Sequence, residues 1–364
     1  MARRTLSQSD AEARSALMSR RNPILSKLDA LEREHLAHVP TPLESMPNLT
    51  QFVGGAQMFV KRDDCTGLGF GGNKVRQLDF YLGAASELNA DTILITGAVQ
   101  SNYVRVAAAA ARKLGMDIHI QLEERVPRSD RAYRKSGNVL LDRMLGATLH
   151  FYPQGDDEAG SDARLDAIAA KLRAKGRNTY VIYLGRKHPP LGALGYICAA
   201  RELFDQARCM RLKVDEVVVG SGSGHTHAGL LFGLRALGCT ARVTGVCVRR
   251  TKREQSERIR DLCSRIAGLL GVPPLVGARD ICLIDEFVAP GYGRLNPPTV
   301  ESIKLAARHE GLFLDPVYTG RVMAGAIRRA RSLSRGKNLV FVHTGGGPGI
   351  FGYEPALTSV MIGS

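Results

Sequence analysis

No Cys-x-x-Cys pair occurs anywhere in the chain, and its seven cysteines, at 65, 198, 209, 239, 247, 263 and 282, are odd in number. This argues against a secreted disulfide framework and against a zinc site, so no metal is expected and a reducing compartment fits best. Long apolar runs are missing as well. The N-terminal stretch MARRTLSQSDAEARSALMSRRNP is basic and polar without the apolar centre of a signal peptide, and nothing downstream approaches a membrane span. Its arginines and serines give it a slight transit-peptide flavour, against which Asp10 and Glu12 count. The expectation is a cytoplasmic protein with no membrane partner. Internal repeats and low-complexity linkers are also absent, so a domain boundary has to be sought where glycine loops interrupt the secondary structure.

What is present is enough for a sizeable core: 364 residues, 44% of them hydrophobic, suit two ordinary domains or one large one. The balance of 50 Lys and Arg against 35 Asp and Glu leaves a net charge of +15. Such a charge invites a nucleic-acid partner, but the basic residues are spread along the chain. The runs Arg249-Arg250-Thr251-Lys252-Arg253 and Arg328-Arg329-Ala330-Arg331 are short, and no zinc-finger or RNP-like signature accompanies them. No nucleic acid is expected; solvated helix faces or steering of an anionic substrate account for the charge.

Short β-rich apolar runs occur at 92–96, 118–122, 180–184, 216–219, 243–248 and 339–342, and most precede a stretch of helical periodicity. Examples of the latter are Ser101 to Leu114, Ala163 to Lys175, Ala193 to Ala207 and Thr226 to Leu237. Strand-then-helix alternation predicts an α/β fold whose parallel sheets are covered by helices on both faces.

Three turns carry chemistry. The loop Ser221-Gly222-Ser223-Gly224-His225-Thr226 leaves a strand and enters a helix, placing backbone N–H groups and a positive helix end around one point, as a phosphate site requires. It is neither a Walker A loop, lacking GK[ST], nor a GxGxxG fingerprint, since Ala228 stands where the third glycine would fall. An ordinary strand-to-helix turn would read the same way. In Gly71-Gly72-Asn73-Lys74 the glycines let the backbone pass close to a flat ligand, and Lys74 opens a helix where an amine can be desolvated and deprotonated, although a lone lysine there is otherwise a surface residue. The third turn, Gly97-Ala98-Val99-Gln100-Ser101-Asn102, offers free N–H groups and the Ser101 hydroxyl to a carboxylate, or simply caps a helix.

Taken in order, KRDDCTGLGFGGNKVR, GAVQSNYVR, SGSGHTHAGL, PGYG, EGLFLDPVYTGRVMAG and HTGGGPGIFGY resemble the D-cysteine desulfhydrase and 1-aminocyclopropane-1-carboxylate deaminase family from about Leu36 to Tyr353. The resemblance implies a two-domain pyridoxal 5'-phosphate (PLP) enzyme of fold type II, tryptophan synthase β-like, and a homodimer. It implies a larger cofactor-binding domain from 1–77 and 184–364, with an N-terminal extension at 1–30, and a smaller domain at 78–183. By the same carry-over Lys74 is the Schiff-base lysine and proton-shuttling base, and Asn73 contacts the cofactor's ring hydroxyl. Gly222, Ser223, Gly224, His225 and Thr226 surround the phosphate. Gln100, Ser101 and Asn102 form the substrate-carboxylate turn, and Tyr292 and Tyr318 are the active-site tyrosines.

By the same resemblance Thr319 matches the family position that faces the pyridine nitrogen, where deaminase-type members carry Glu. A hydroxyl there leaves the ring nitrogen largely neutral and suits loss of an α-proton followed by departure of a β-substituent. The resemblance is therefore nearest the D-cysteine desulfhydrase and L-cysteate sulfo-lyase branch, which implies α,β-elimination from a small amino acid to pyruvate, ammonia and sulfide or sulfite. A cyclopropane-carboxylate deaminase, a lyase of another β-substituted amino acid and a non-catalytic PLP-binding protein are the alternatives.

Four departures from the family pattern surround the cofactor position. Gln77 replaces a phosphate-pairing lysine and His225 a glycine, Tyr103 stands for a histidine, and Arg186-Lys187-His188 stand for Gly-Gly-Ser. The imidazole of His225 is expected to replace part of the missing charge. The three basic residues are expected to favour an extra anionic group on the substrate, unless they form a solvated loop.

Overall fold

The computed structural model describes residues 22–128, 130–185 and 188–362. The extension expected at 1–30 lies outside them up to position 21, as do Arg186 and Lys187.

Ten strands form two sheets among these residues. The first has six strands in the order β1-β2-β10-β7-β8-β9, namely Leu43–Ser45, Gln57–Lys61, Asn338–Val342, Glu216–Ser221, Arg242–Cys247 and Cys282–Ile284. Only the edge strand β1 runs antiparallel, Glu44 standing opposite Val60; β2, β10, β7, β8 and β9 are parallel. The second sheet has four parallel strands in the order β5-β4-β3-β6, namely Thr148–Tyr152, Asp117–Glu123, Thr92–Ala98 and Thr179–Ile182. All six strands expected from apolar runs are present. β3 is buried along its whole length, as a parallel strand covered on both faces must be.

The strands without a clear signal have physical reasons for it. β5 is a half-exposed edge, so its sequence TLHFY has no continuous apolar run. β1 and β9 have three residues each.

The expected helices appear as Asn102–Lys113, Glu158–Arg173, Leu191–Cys209 and His225–Ala236. Glu158–Arg173 begins earlier than the periodicity suggested because Asp157 caps it, accepting from Gly160 N at 2.9 Å.

The helix Asn73–Glu87 runs without a break through position 77, so the boundary expected there falls inside a helix. It packs on Leu191–Cys209 so closely that a Cβ on Gly195 would lie 1.9 Å from the Arg76 carbonyl oxygen. Beside that contact is a buried ionic cluster. Arg76 Nη2 donates to Asp63 Oδ1 at 2.9 Å and Nη1 to Glu202 Oε2 at 2.9 Å, while Tyr196 Oη donates to Asp63 Oδ2 at 2.6 Å. Lys61, at the end of β2, donates to Glu202, to the Thr41 carbonyl at 2.6 Å and to Gln206 Oε1 at 2.7 Å. Two cations meet two carboxylates with their hydrogen-bonding capacity largely used, which makes such burial tolerable.

Candidate active site

Parallel strands deliver loops from their carboxyl ends, and one cavity collects those of both sheets. From the six-stranded sheet come Gly222, Ser223 and Gly224 after β7, Arg249 and Arg250 after β8, and Thr344 and Gly345 after β10. From the four-stranded sheet come Ala98, Ser101 and Asn102 after β3, Arg125 after β4 and Leu184 after β6. Asn73, Lys74, Thr226, Tyr292 and Tyr318 complete the lining used below.

Lys74 is held at this junction because Asn73 N donates to the Thr344 carbonyl at 3.0 Å, pinning the helix start against the loop after β10. Its Nζ donates to Gln77 Oε1 at 3.3 Å and lies 4.9 Å from the centre of the Tyr103 ring. Burial alone lowers its pKa to about 8. A fraction of the amine is thus deprotonated near neutral pH.

The phosphate-type cradle is built in two layers. Gly224 is the N-cap of His225–Ala236 and offers no side-chain acceptor, so the first-turn N–H groups are left for an anion. Behind the loop, Arg250 Nη1 holds the Gly222 carbonyl at 3.1 Å and Arg258 Nε the Ser223 carbonyl at 2.7 Å, which ties the loop's carbonyls to arginines. Space at Gly222 is tight: a Cβ there would meet the Val248 and Tyr318 side chains at 3.2 and 3.3 Å, which would have to give by a few tenths of an ångström. Thr226 Oγ1 accepts from Asn73 Nδ2 and from Gln77 Nε2, both at 2.8 Å. With its lone pairs engaged, the hydroxyl proton remains to be donated.

Gln77 therefore links Lys74 to Thr226 and supplies no charge. Burial first, then Lys74, Arg258 and Arg265, push the His225 imidazole down to about 3, and its buried Nδ1 has no partner among the described residues.

Two further residues are placed differently from expectation. Gln100 lies outside the cavity. Its Nε2 donates to the Tyr133 carbonyl at 2.6 Å and the Ser136 carbonyl at 2.9 Å, while Oε1 accepts from Asn138 N at 2.9 Å, so the side chain is spent on holding the 133–138 segment. Ser101 and Asn102 do line the cavity, and Ser101 also caps its helix, accepting from Tyr103 N at 3.1 Å. Thr319 is 1% exposed and sits behind the wall, its Oγ1 accepting from Asp315 N and donating to Asp315 Oδ1, both at 2.8 Å. It acts as a positioning residue for Asp315, which lines the cavity and was not singled out from the sequence although LDPVYTG contains it.

Tyr292 and Tyr318 are brought together as expected, their hydroxyls 2.8 Å apart and their rings edge to face at 76°. Burial, then Tyr318, holds the Tyr292 phenol well above its ordinary value, so it keeps its proton. His188 is turned away, stacked on Tyr183 with ring centres 3.8 Å apart.

A desolvated lysine, a phosphate cradle made only of donors and a hydroxyl-lined turn, set between two parallel sheets, define a site fitted to PLP. Residues 35–345 match the model of the pyridoxal-phosphate dependent enzyme family, and the chain belongs to that family. It is 39% identical over 333 residues to a D-cysteine desulfhydrase of Salmonella choleraesuis, covering 91% of this chain and 99% of the relative. It is 40% identical over 334 residues to that of Salmonella paratyphi B, with the same coverage. A crystal structure of an ACC deaminase homologue superposes with a TM-score of 0.83 at 34% identity, covering 93% of this chain and 99% of the other. O-ureido-L-serine synthase, at 18% identity and a TM-score of 0.63 over 92% of this chain and 95% of the other, shares the fold. The architecture is fold type II.

The lowered pKa of Lys74 is open to a direct test. Capture of the cofactor by apoprotein needs the free amine, so its rate is expected to rise about tenfold per pH unit below about pH 8 and to level off above it, followed by absorbance after mixing.

Proposed function

We propose that the protein is a PLP-dependent lyase that removes the β-substituent of a small cysteine- or cysteate-like amino acid, giving pyruvate, ammonia and sulfide or sulfite. The observation that carries this reading is the near-full-length similarity to D-cysteine desulfhydrases, joined to a cavity that holds an amine, a carboxylate turn and a tyrosine pair together. PLP, when bound, supplies the electron sink that lets a Cα–H bond ionise.

The chain's own residues divide the remaining work. Lys74 Nζ holds the cofactor and takes the α-proton, its lowered pKa matching that task. Asn73, Ser223, Gly224 and Thr226 would hold the cofactor, Thr226 with its hydroxyl hydrogen free to donate. Ser101 and Asn102 orient the substrate carboxylate. Tyr292 keeps its proton until the leaving group requires it, and Tyr318 fixes its position.

We also propose a smaller domain at 78–183 carrying the four-stranded sheet, a larger domain from 1–77 and 184–364, a homodimer and a cytoplasmic location. No described helix is long and apolar enough to cross a membrane.

The test is a product assay over D- and L-cysteine, cysteate, β-chloroalanine, diaminopropionate and 1-aminocyclopropane-1-carboxylate. Pyruvate with sulfide or sulfite is expected. A four-carbon keto acid from the cyclopropane substrate alone would make the protein a deaminase, and no product from any of them would end the lyase reading.

A further inference from the structure

Arg125 belongs to the polar run Glu123-Glu124-Arg125, yet its side chain is only 15% exposed and lines the cavity alongside Tyr292 and Tyr318. Burial opposes its charge, but Glu123 outweighs burial and keeps the guanidinium cationic.

Its orientation is fixed from behind. Glu123 Oε2 takes Nε and Nη2 of Arg125, each at 2.6 Å, and Glu123 Oε1 is held by Thr96 Oγ1 at 2.6 Å and Ser161 Oγ at 2.9 Å. No described residue accepts from Arg125 Nη1.

Arg249 lines the same wall. It pairs with Asp156, whose side chain is 91% exposed, so that pairing is screened by water. Arg250 and Arg258 share Glu158 at 2.7 and 3.6 Å while holding the loop carbonyls. The wall thus sets Arg125, Arg249, Arg250 and Arg258 beside Glu123, Asp156 and Glu158. Burial, then Arg258 and Arg249, pushes the Arg250 guanidinium down to about 10, as a crowded positive patch would.

Resting on the lyase reading, we propose that Arg125, assisted by Arg249, binds a second oxyanion on the substrate, a sulfonate or carboxylate carried on the β-carbon. Arg125 thereby makes the enzyme prefer acidic to neutral β-substituted amino acids. A planar fork with a free N–H, oriented by a rigid carboxylate beside the leaving-group tyrosines, is suited to that recognition. A neutral substituent would leave the N–H unanswered.

The test uses holoenzyme and two readouts. Binding of cysteate, aspartate and alanine is followed by the change in cofactor absorbance, and kcat and KM are measured for cysteate and β-chloroalanine. Wild type is expected to bind cysteate and aspartate at least about tenfold more tightly than alanine. Arg125→Ala is expected to weaken the two acidic ligands by about 10- to 100-fold, mostly in KM, and to leave alanine and β-chloroalanine within about twofold.

Glu123→Gln, which keeps a hydrogen-bonding partner but removes the opposing charge, is the second variant and is expected to tighten the acidic ligands selectively. Equal affinities in wild type, an unchanged acidic-to-neutral ratio in Arg125→Ala, or equal effects of Glu123→Gln on both classes would each overturn the proposal. Failure of the lyase reading is distinguishable, because it would abolish product while leaving the binding preference in place. Tighter aspartate than cysteate would assign the site to a carboxylate, and the reverse to a sulfonate.

Discussion

Lys74→Ala is expected to lower turnover by about 10²- to 10⁴-fold and to leave the fold at least as stable as wild type. The first half follows from the role proposed for this amine, which is to hold the cofactor and move the α-proton. The second follows from the surroundings: burial is the sole cause of the lowered Lys74 pKa, no carboxylate among the described residues pairs with the amine, and its hydrogen bond to Gln77 is a long 3.3 Å. Removing a desolvated, unpaired amine relieves a cost. Lys61 makes the contrast. It is also buried, but Glu202, Thr41 and Gln206 occupy it, so it has no hydrogen left for chemistry. Borohydride reduction of the yellow holoenzyme followed by peptide mapping would locate the modified lysine, and an adduct anywhere but the Lys74 peptide would remove Lys74 from its role. Thermal unfolding of Lys74→Ala checks the stability half.

Asp63→Ala is expected to be the most damaging substitution for stability, costing about 3–5 kcal/mol. Asp63 is fully buried and receives Arg76, Tyr196 and Thr41, the last through Oγ1 at 2.8 Å. Without it Arg76 and Lys61 must share Glu202 alone, and a buried cation is left short of a partner.

The pH dependence has a definite sign. Burial tends to raise the Asp63 and Glu202 pKa values, but for each of them Arg76 heads the opposing interactions, which leave both values below the ordinary carboxylate range. The stabilisation is therefore complete above the unfolded-state carboxylate values and is lost as pH falls through the folded-state ones. Urea unfolding of wild type and variant should show a gap that is constant near neutral pH and closes only in acid. A gap below about 1 kcal/mol at neutral pH would show that the cluster is not a keystone.

The parallel strands and the Lys74 site could be read from the chain because their signals are contiguous. Val217-Val218-Val219 announces a covered strand, and Gly71-Gly72-Asn73-Lys74 keeps the amine next to the glycines that expose it. Side-chain direction could not be read in this way. Gln100 and Ser101 are adjacent, but Ser101 enters the cavity while Gln100 is recruited by backbone groups at 133, 136 and 138. Likewise Thr319 and Asp315 lie one helical turn apart in one motif, and the network between them decides which reaches the cavity. Arg125 was least legible, since charge next to charge reads as surface until the fold carries β4 up to the tyrosines. The protonation of His225 was also hidden, because it depends on burial and on cations that come from distant parts of the chain.

The doubly engaged hydroxyl of Thr226 makes the cradle a filter that acts by valence. Asn73 and Gln77 consume the oxygen's capacity to accept, and the adjoining helix start presents hydrogens, so a visitor must bring lone pairs and few hydrogens of its own. A phosphate ester meets that condition. The hydroxymethyl group of the unphosphorylated vitamin brings a hydrogen and a single oxygen, and would leave most of those donors unanswered. With the cofactor seated as proposed, its two forms would be told apart by the direction of a few protons.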